Sequence, residues 1–189
     1  GGPGGDPRSR LLGADPAVSG VRLCADAVLM VVDMQAAIDD PRWGELNNRD
    51  AEANIAALLA AWRALGLPVL HIRHDSPELR SPYRAGTPGH AVKPCAAPLP
   101  TEPVFAKQTT SAFADGRLDA TLTKLGVTCL VLCGVLTQNS GEATARAAGD
   151  LGFRVFVVED ACRASAKTDR AGRRWSADEV HALSLANLA

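Results

Sequence analysis

Two apolar runs, each about the length of one β-strand, constrain the fold of this chain more than any other feature. The first is Ala27 to Val32 and the second is Thr128 to Cys133. Nearly every position in these runs is apolar, so both faces of each strand have to be covered by other parts of the protein. A parallel sheet packed between helices meets that requirement, and the runs therefore predict an α/β fold.

Between these runs the apolar residues change to a helical spacing. Ile55, Leu58, Leu59, Trp62 and Leu65 recur at intervals of three and four, which predicts one amphipathic helix over Asn48 to Leu65. Three more helices are predicted at Ala112 to Leu125, Asn139 to Leu151 and Ala177 to Leu188, and three more strands at Val69 to Arg73, Val104 to Ala106 and Phe153 to Val158. This alternation predicts a three-layer, Rossmann-like architecture, in which an open, mostly parallel sheet carries helices on both faces.

The chain of 189 residues is expected to form one domain over residues 21–189, after a flexible N-terminal arm at residues 1–20. The arm is predicted from its Gly, Pro, Asp and Ser content. A second unusual segment runs from His74 to Pro103, where seven prolines interrupt any periodic pattern. It is expected to be an ordered loop region, and a connection of this length inside a compact domain is usually functional.

Charge and cysteine content indicate which partners and compartment to expect. Twenty basic and 21 acidic residues leave a net charge of −1, which predicts neither nucleic acid nor a membrane surface as a partner. The longest apolar run is too short to span a bilayer, and the first twenty residues lack the pattern of a signal peptide. Five cysteines without a disulfide-like spacing favour a reducing compartment, so we expect a cytoplasmic protein.

Three segments with chemically active residues each follow a predicted strand. Asp33 follows the first apolar run, Lys107 follows the strand at Val104 to Ala106, and the turn from Gly134 to Ser140 follows the second apolar run. Ligands of parallel α/β sheets bind beyond the carboxyl ends of the strands, so these residues are candidates for one shared site. An acid beside a lysine suits a thiol nucleophile, because the cation stabilises the thiolate and the acid can move its proton.

The same segments resemble motifs of the isochorismatase-like cysteine hydrolases over roughly residues 27–165. The first motif is Val32-Asp33-Met34-Gln35, the second is Lys107 followed by Ser111-Ala112-Phe113, and the third is Gly134-Val135-Leu136-Thr137 ending at Ser140. Thr144-Ala145-Arg146-Ala147, Gly152-Phe153 and Glu159-Asp160-Ala161 match the following helix and strand. The chain departs from the family at the last position of the third motif, where the family has a cysteine and this chain has Ser140.

The resemblance implies a catalytic triad of Asp33, Lys107 and residue 140. It also implies a cis peptide between Val135 and Leu136 and an oxyanion hole made by the backbone N–H groups of Leu136 and Ser140. The implied substrate is a small-molecule amide, such as a carbamoyl compound, maleamate, biuret, a nicotinamide-like amide or a lactam such as streptothricin. No cofactor is implied, and relatives suggest a homodimer or homotetramer.

Four further residues are candidates for substrate binding. Arg84 and His90 lie in the long loop region and resemble substrate-facing positions of relatives. Trp43 is expected to form an apolar wall of the pocket, and Gln35 closes the first motif. A solvated loop position remains an alternative for Arg84 and His90.

Two other chemical possibilities are weaker. Nicotinamidases of the same superfamily bind a metal through an Asp-x-His pattern, but here His71, His74 and Asp75 have another order and spacing. Residues three apart on a strand point to opposite faces, so we predict no metal site. Cys133 precedes the third motif and is expected to be a buried strand residue rather than a replacement nucleophile.

Ser140 admits three explanations. It can be an engineered replacement of a cysteine, which would trap substrate because a hydroxyl is far less acidic than a thiol. It can be natural in a slow enzyme or in a noncatalytic small-molecule binder. Finally, it can mark an isochorismatase-type vinyl-ether hydrolase, which would use Asp33 as a general acid and need no cysteine. The Thr137 turn and the Ser111-Ala112-Phe113 segment resemble the amide-hydrolysing branch, so we favour the first explanation.

Overall fold

A computed structural model describes residues 22–189, and the expected arm at residues 1–20 lies outside the described residues. A five-stranded sheet forms its centre, with all neighbouring strands parallel. Its strands are β1 (Val28–Val32), β2 (Val69–His74), β3 (Val104–Lys107), β4 (Cys129–Val135) and β5 (Arg154–Arg163), in the order β3-β2-β1-β4-β5. The predicted open parallel sheet is thus confirmed.

Helices cover both faces of this sheet because successive strand residues point in opposite directions. They are α1 (Ala51–Ala64), α2 (Arg117–Lys124), α3 (Glu142–Asp150) and α4 (Ala177–Leu188). Leu29 and Val31 of β1 belong to the same buried cluster as Leu59 of α1, whereas Met30 belongs to the cluster that contains Leu122 of α2. Two separate cores therefore lie on the two faces of β1, as a three-layer fold requires. Within residues 22–189, no helix combines the length and apolar character needed to cross a membrane.

Two predicted helix boundaries need correction, and one hairpin was not predicted. The helix expected from Ala112 begins at Arg117, because Gly116 adopts a left-handed conformation with φ of 74° that interrupts the helix. The helix expected from Asn139 begins at Glu142, after a wide π-helical turn over Thr137–Gly141. A short antiparallel hairpin of β6 (Lys167–Thr168) and β7 (Arg174–Trp175) was not predicted, because two-residue strands leave no periodic signal.

Strands β1 and β4 approach each other closely at Gly134. A Cβ atom built on Gly134 would lie 2.1 Å from the carbonyl oxygen of Val32, and the φ of Gly134 is 121°. Only glycine fits both constraints, since it has no side chain and tolerates positive φ. The close approach brings the turn after β4 next to Asp33, which directly follows Val32.

The proline-rich segment after β2 is ordered by a buried carboxylate. Glu102 accepts hydrogen bonds from Arg63 Nε and Nη2 at 2.7 and 2.8 Å and lies 2.9 Å from His71 Nε2. It also accepts a bond from the backbone N–H of Leu99. These contacts tie the end of the segment to α1 and β2, and Arg63 in particular lowers the pKa of Glu102 to about 2.

Replacing Glu102 by glutamine is expected to lower the free energy of unfolding by about 2 kcal/mol at pH 7. The folded-state pKa of Glu102 lies below its ordinary value of 4.5, so its stabilising effect is present above pH 4.5 and disappears as pH falls towards about 2. Urea unfolding of the parent and the Glu102→Gln variant at several pH values measures this difference. A difference that stays constant from pH 7 to pH 3 would contradict the assignment.

Candidate active site

The sheet topology brings Asp33, Lys107 and Ser140 together at one edge. Asp33 immediately follows β1, Lys107 is the last residue of β3, and Ser140 lies in the turn between β4 and α3. The two strands that carry Asp33 and Lys107 are separated only by β2, and β4 lies on the other side of β1. All three side chains therefore meet beyond the carboxyl ends of parallel strands, where such sheets bind ligands.

The Lys107 ammonium is the centre of this cluster. Its Nζ lies 2.8 Å from Asp33 Oδ2 and 3.2 Å from Ser140 Oγ, and it donates to the backbone oxygen of Thr109 at 3.0 Å. It also lies 3.3 Å from His74 Nδ1. Exposure of Asp33, Lys107 and Ser140 is only 4%, 6% and 7%, so their electrostatic interactions are weakly screened by solvent. A single buried cation thus contacts both the acid and the hydroxyl.

Burial raises the pKa of the Asp33 carboxyl, and the Lys107 ammonium opposes that effect by favouring the carboxylate. Asp33 Oδ1 is buried and has no hydrogen-bond partner among residues 22–189. Such an oxygen is available to a substrate or to a transferred proton. The pKa of His74 is lowered, first by burial and then by Lys107, so this imidazole is neutral at pH 7.

A cavity of about 310 Å³ opens onto the cluster. Asp33, Leu136 and Ser140 contribute to its inner wall. Its other described lining residues are Trp43, His74, Ser76, Pro77, Glu78, Ser81, Tyr83, Gln108, Thr109, Thr110, Val135 and Asn139. A cavity of this size suits a small molecule, with two carboxylates and several hydroxyl and amide groups to contact it.

The turn after β4 positions Ser140. The peptide between Val135 and Leu136 is cis, and the Leu136 carbonyl accepts hydrogen bonds from the N–H groups of Asn139 and Gly141, both at 3.0 Å. Ser140 does not cap α3, whose N-cap position is Gly141 without a side-chain bond. The Ser140 hydroxyl instead contacts Lys107 and the cavity.

Of the four expected substrate contacts, Trp43 lines the cavity and the other three are used elsewhere. Gln35 is 1% exposed, and its amide bonds to the backbone of His74 and His90. His90 Nε2 lies 2.7 Å from Asp75 Oδ1, and Arg84 donates to the backbone oxygen of Pro77. These three residues help to order the long loop and are not among the described lining residues of the cavity.

Several wall residues were missed because they lie in the loop region without a recognisable motif. Tyr83 is buried, packs its ring 6.0 Å from that of Trp43, and has a pKa raised by burial. Glu78 and Ser81 come from the same region. Their only signal in the sequence was the length of the segment, which indicated a functional loop without showing which side chains face inward.

A second polar network lies behind the turn. His181 Nδ1 of α4 lies 2.9 Å from the Thr137 hydroxyl. Ser184 Oγ donates to Glu142 at 2.7 Å and lies 3.4 Å from the Thr137 carbonyl oxygen. Thr137, His181 and Ser184 are all at most 5% exposed. The C-terminal helix therefore helps to fix the backbone that carries Ser140. Sequence periodicity did not reveal this role, because buried polar residues resemble core residues in a helical pattern.

Neither His71 nor Cys133 belongs to the site. His71 bonds to Glu102 on one side of β2, while His74 lies beside Lys107, in agreement with their predicted opposite faces. Within residues 22–189, no group of three His, Cys, Asp or Glu side chains is arranged to hold a metal ion. Cys133 is 1% exposed and burial raises the pKa of its thiol well above the ordinary value, which makes it a poor nucleophile.

Comparison with known proteins supports one family assignment for this fold. The family model described as the isochorismatase domain matches residues 27–182. A solved hydrolase of the isochorismatase family from Chromobacterium violaceum is 55% identical, with a TM-score of 0.87, and the match covers 91% of this chain and 90% of that chain. A cysteine hydrolase from Pseudomonas syringae is 25% identical with a TM-score of 0.77, and 91% of each chain is covered.

A further relative has a name that specifies its substrate. The streptothricin hydrolase of Streptomyces noursei is 36% identical over 135 residues, which is 70% of this chain and 48% of that protein. The family model covers far more than half of the sequence and includes all three residues of the buried cluster. On the strength of that match, this chain belongs to the isochorismatase family of hydrolases.

Proposed function

We propose that this protein is built to hydrolyse a C–N bond of a small amide or lactam by way of a thioester, with Asp33, Lys107 and a nucleophile at position 140. The observation that carries the proposal is the position of the Lys107 ammonium, 2.8 Å from Asp33 and 3.2 Å from the Ser140 hydroxyl. Vinyl-ether hydrolysis by a general acid needs no nucleophile at that point.

A thiol at position 140 would be activated by its neighbours. Its ordinary pKa of about 8.5 leaves little thiolate at pH 7, but a cation at hydrogen-bond distance favours the anion. Asp33 takes the proton from sulfur, and the thiolate attacks the amide carbonyl carbon. The carbonyl π electrons move to oxygen, which becomes the oxyanion of a tetrahedral intermediate.

The remaining steps return every proton. The backbone N–H groups of Leu136 and residue 140 are proposed to stabilise the oxyanion. Protonated Asp33 gives its proton to the departing nitrogen as the C–N bond breaks, and a thioester remains. Asp33 then removes a proton from water, the hydroxide adds to the thioester, and the thiolate leaves to give a carboxylic acid. Asp33 finally gives its proton to the sulfur, which restores the starting carboxylate and thiol. The raised pKa of Asp33 suits a group that both accepts and donates a proton.

A serine at position 140 is expected to lower the reaction rate while the surrounding site stays the same. An alkoxide is much harder to form than a thiolate, so the same surroundings activate a serine poorly. We propose that Ser140 stands where a cysteine nucleophile belongs, and that this chain binds its substrate but turns it over very slowly. Streptothricin-like lactams are candidate substrates because the chain is similar to a streptothricin hydrolase.

The proposal is tested by comparing amide hydrolysis with vinyl-ether cleavage in the Ser140→Cys variant. The Ser140→Cys protein is assayed for amine or ammonia release over linear amides, carbamoyl compounds and lactams, and separately for vinyl-ether cleavage of isochorismate. We expect turnover in the amide panel and none with the vinyl ether. Vinyl-ether cleavage by the unaltered Ser140 protein would establish the alternative in which Asp33 acts alone as a general acid.

A further inference from the structure

The described lining residues of the cavity include acidic side chains but no Lys or Arg. The acidic residues are Asp33 and Glu78. The Asp33 charge is compensated by Lys107 at 2.8 Å, whereas no ion pair to Glu78 occurs within residues 22–189. Glu78 is an exposed residue. The described part of the wall therefore carries a net negative charge contributed by Glu78.

The arginines of the neighbouring segments are not among the described lining residues of the cavity. Arg84 donates to the Pro77 backbone oxygen, and Arg73 makes two hydrogen bonds to Asp75. Arg42 bonds to Asp40 and to the backbone of Arg80. His74 is neutral at pH 7, because burial and Lys107 lower its pKa. A substrate carboxylate would thus find the Glu78 charge near it without a matching cation in this part of the wall.

Two aromatic rings stand in the same wall. The Trp43 indole is held by a 2.7 Å hydrogen bond from Nε1 to the Ala37 carbonyl, and its ring centre lies 6.0 Å from that of Tyr83. Because its pKa is raised, Tyr83 keeps its proton and remains an uncharged ring. Aromatic rings attract cations through their negative faces, and a nearby carboxylate adds to that attraction.

From these features we infer that the substrate carries a positive charge outside its scissile amide, received by Glu78, Trp43 and Tyr83. The inference rests on the proposed function only in taking this cavity as the substrate site. It selects cationic amides, bearing a protonated or quaternary nitrogen, over carboxylate-bearing amides such as maleamate. It also disfavours isochorismate, which is a dicarboxylate.

Three planar amides of nearly equal size isolate the effect of charge. They are 1-methylnicotinamide, a cation; nicotinamide, which is neutral; and 3-carbamoylbenzoate, an anion. Their dissociation constants are measured by calorimetry on the unaltered Ser140 protein, so that turnover is not needed. We expect the cation to bind about tenfold more tightly than the neutral amide and the anion to bind weakest. High salt should reduce the differences among the three dissociation constants, because it screens the charges.

The Glu78→Gln variant should reduce cation affinity about fivefold and leave nicotinamide affinity within about twofold. Asp150→Asn is the matched control, since it removes one exposed carboxylate from the end of α3, outside the described cavity wall. An unchanged cation-to-neutral ratio in Glu78→Gln would overturn the inference. So would equal binding of the anion, or no cation binding at about 10 mM.

The result of the binding experiment can be distinguished from the result of the hydrolysis experiment that tests the proposed function. If cation selectivity holds while the Ser140→Cys protein hydrolyses no amide, the cavity assignment survives and the amide hydrolase proposal fails. If amides are hydrolysed without charge selectivity, the amide hydrolase proposal survives and the inferred preference for a cationic substrate fails.

Discussion

The Ser140→Cys variant is expected to hydrolyse its best amide substrate at least about 10³-fold faster than the unaltered chain. Lys107 lies 3.2 Å from the position of the nucleophilic atom, and a thiol uses that stabilisation far better than a hydroxyl. The change adds only a larger atom at a site that opens onto the cavity, so the fold should be preserved. Rates are measured as amine release under saturating substrate.

Ser140→Ala is the matched control for this experiment. It removes the nucleophile altogether, and its rate should be close to that of the Ser140 protein. If the serine form were as active as the cysteine form and clearly more active than the alanine form, serine would be a functional nucleophile. The idea of a site built for a thiolate would then be wrong.

Replacing Lys107 by methionine in the Ser140→Cys protein should lower kcat/KM by about 10²- to 10³-fold. The ammonium is the cation closest to the nucleophile in the described site, so its loss disfavours the thiolate. Lys107 also lowers the pKa of Asp33, and without it the carboxyl should need a higher pH to ionise. The acid limb of the pH–rate profile should therefore move to higher pH.

Lys124→Met is the control for Lys107→Met, because it removes one exposed lysine at the end of α2. It should leave both the rate and the pH profile unchanged. Circular dichroism of the Lys107→Met protein at each pH checks that it remains folded. A folded Lys107→Met protein with the activity of the Lys124→Met control would exclude a catalytic role for the lysine.

Much of the fold could be predicted from the sequence because its strands are buried on both faces. The apolar runs at β1 and β4 have no alternating pattern, and this alone requires a layer of helices on each side. Ligands of such sheets bind beyond the carboxyl ends of the strands, so the predicted strand ends limited where the site could lie. Asp33 and Lys107 were candidates because each directly follows a predicted strand, and in the structure Asp33 Oδ2 and Lys107 Nζ lie 2.8 Å apart.

Other features depend on contacts between distant segments and left no local signal. Gln35 and His90 were expected near the substrate, and the structure shows their side chains hydrogen-bonded to the backbone of the long loop and to Asp75. Glu78 faces the cavity from a segment that has no periodic pattern. The bond between His181 and Thr137 joins residues 44 positions apart, which no local spacing rule can anticipate.

The central claim is that the site around position 140 is built to stabilise a thiolate, and this can be measured without knowing the substrate. In the Ser140→Cys protein, the rate of iodoacetamide alkylation at residue 140 is followed against pH by peptide mass spectrometry. Asp33 and the thiol titrate as a pair, so the midpoint belongs to both groups. We predict a midpoint clearly below about 8.5 that rises when Lys107 is replaced by methionine. A midpoint at or above 8.5 that does not respond to Lys107→Met would contradict the account.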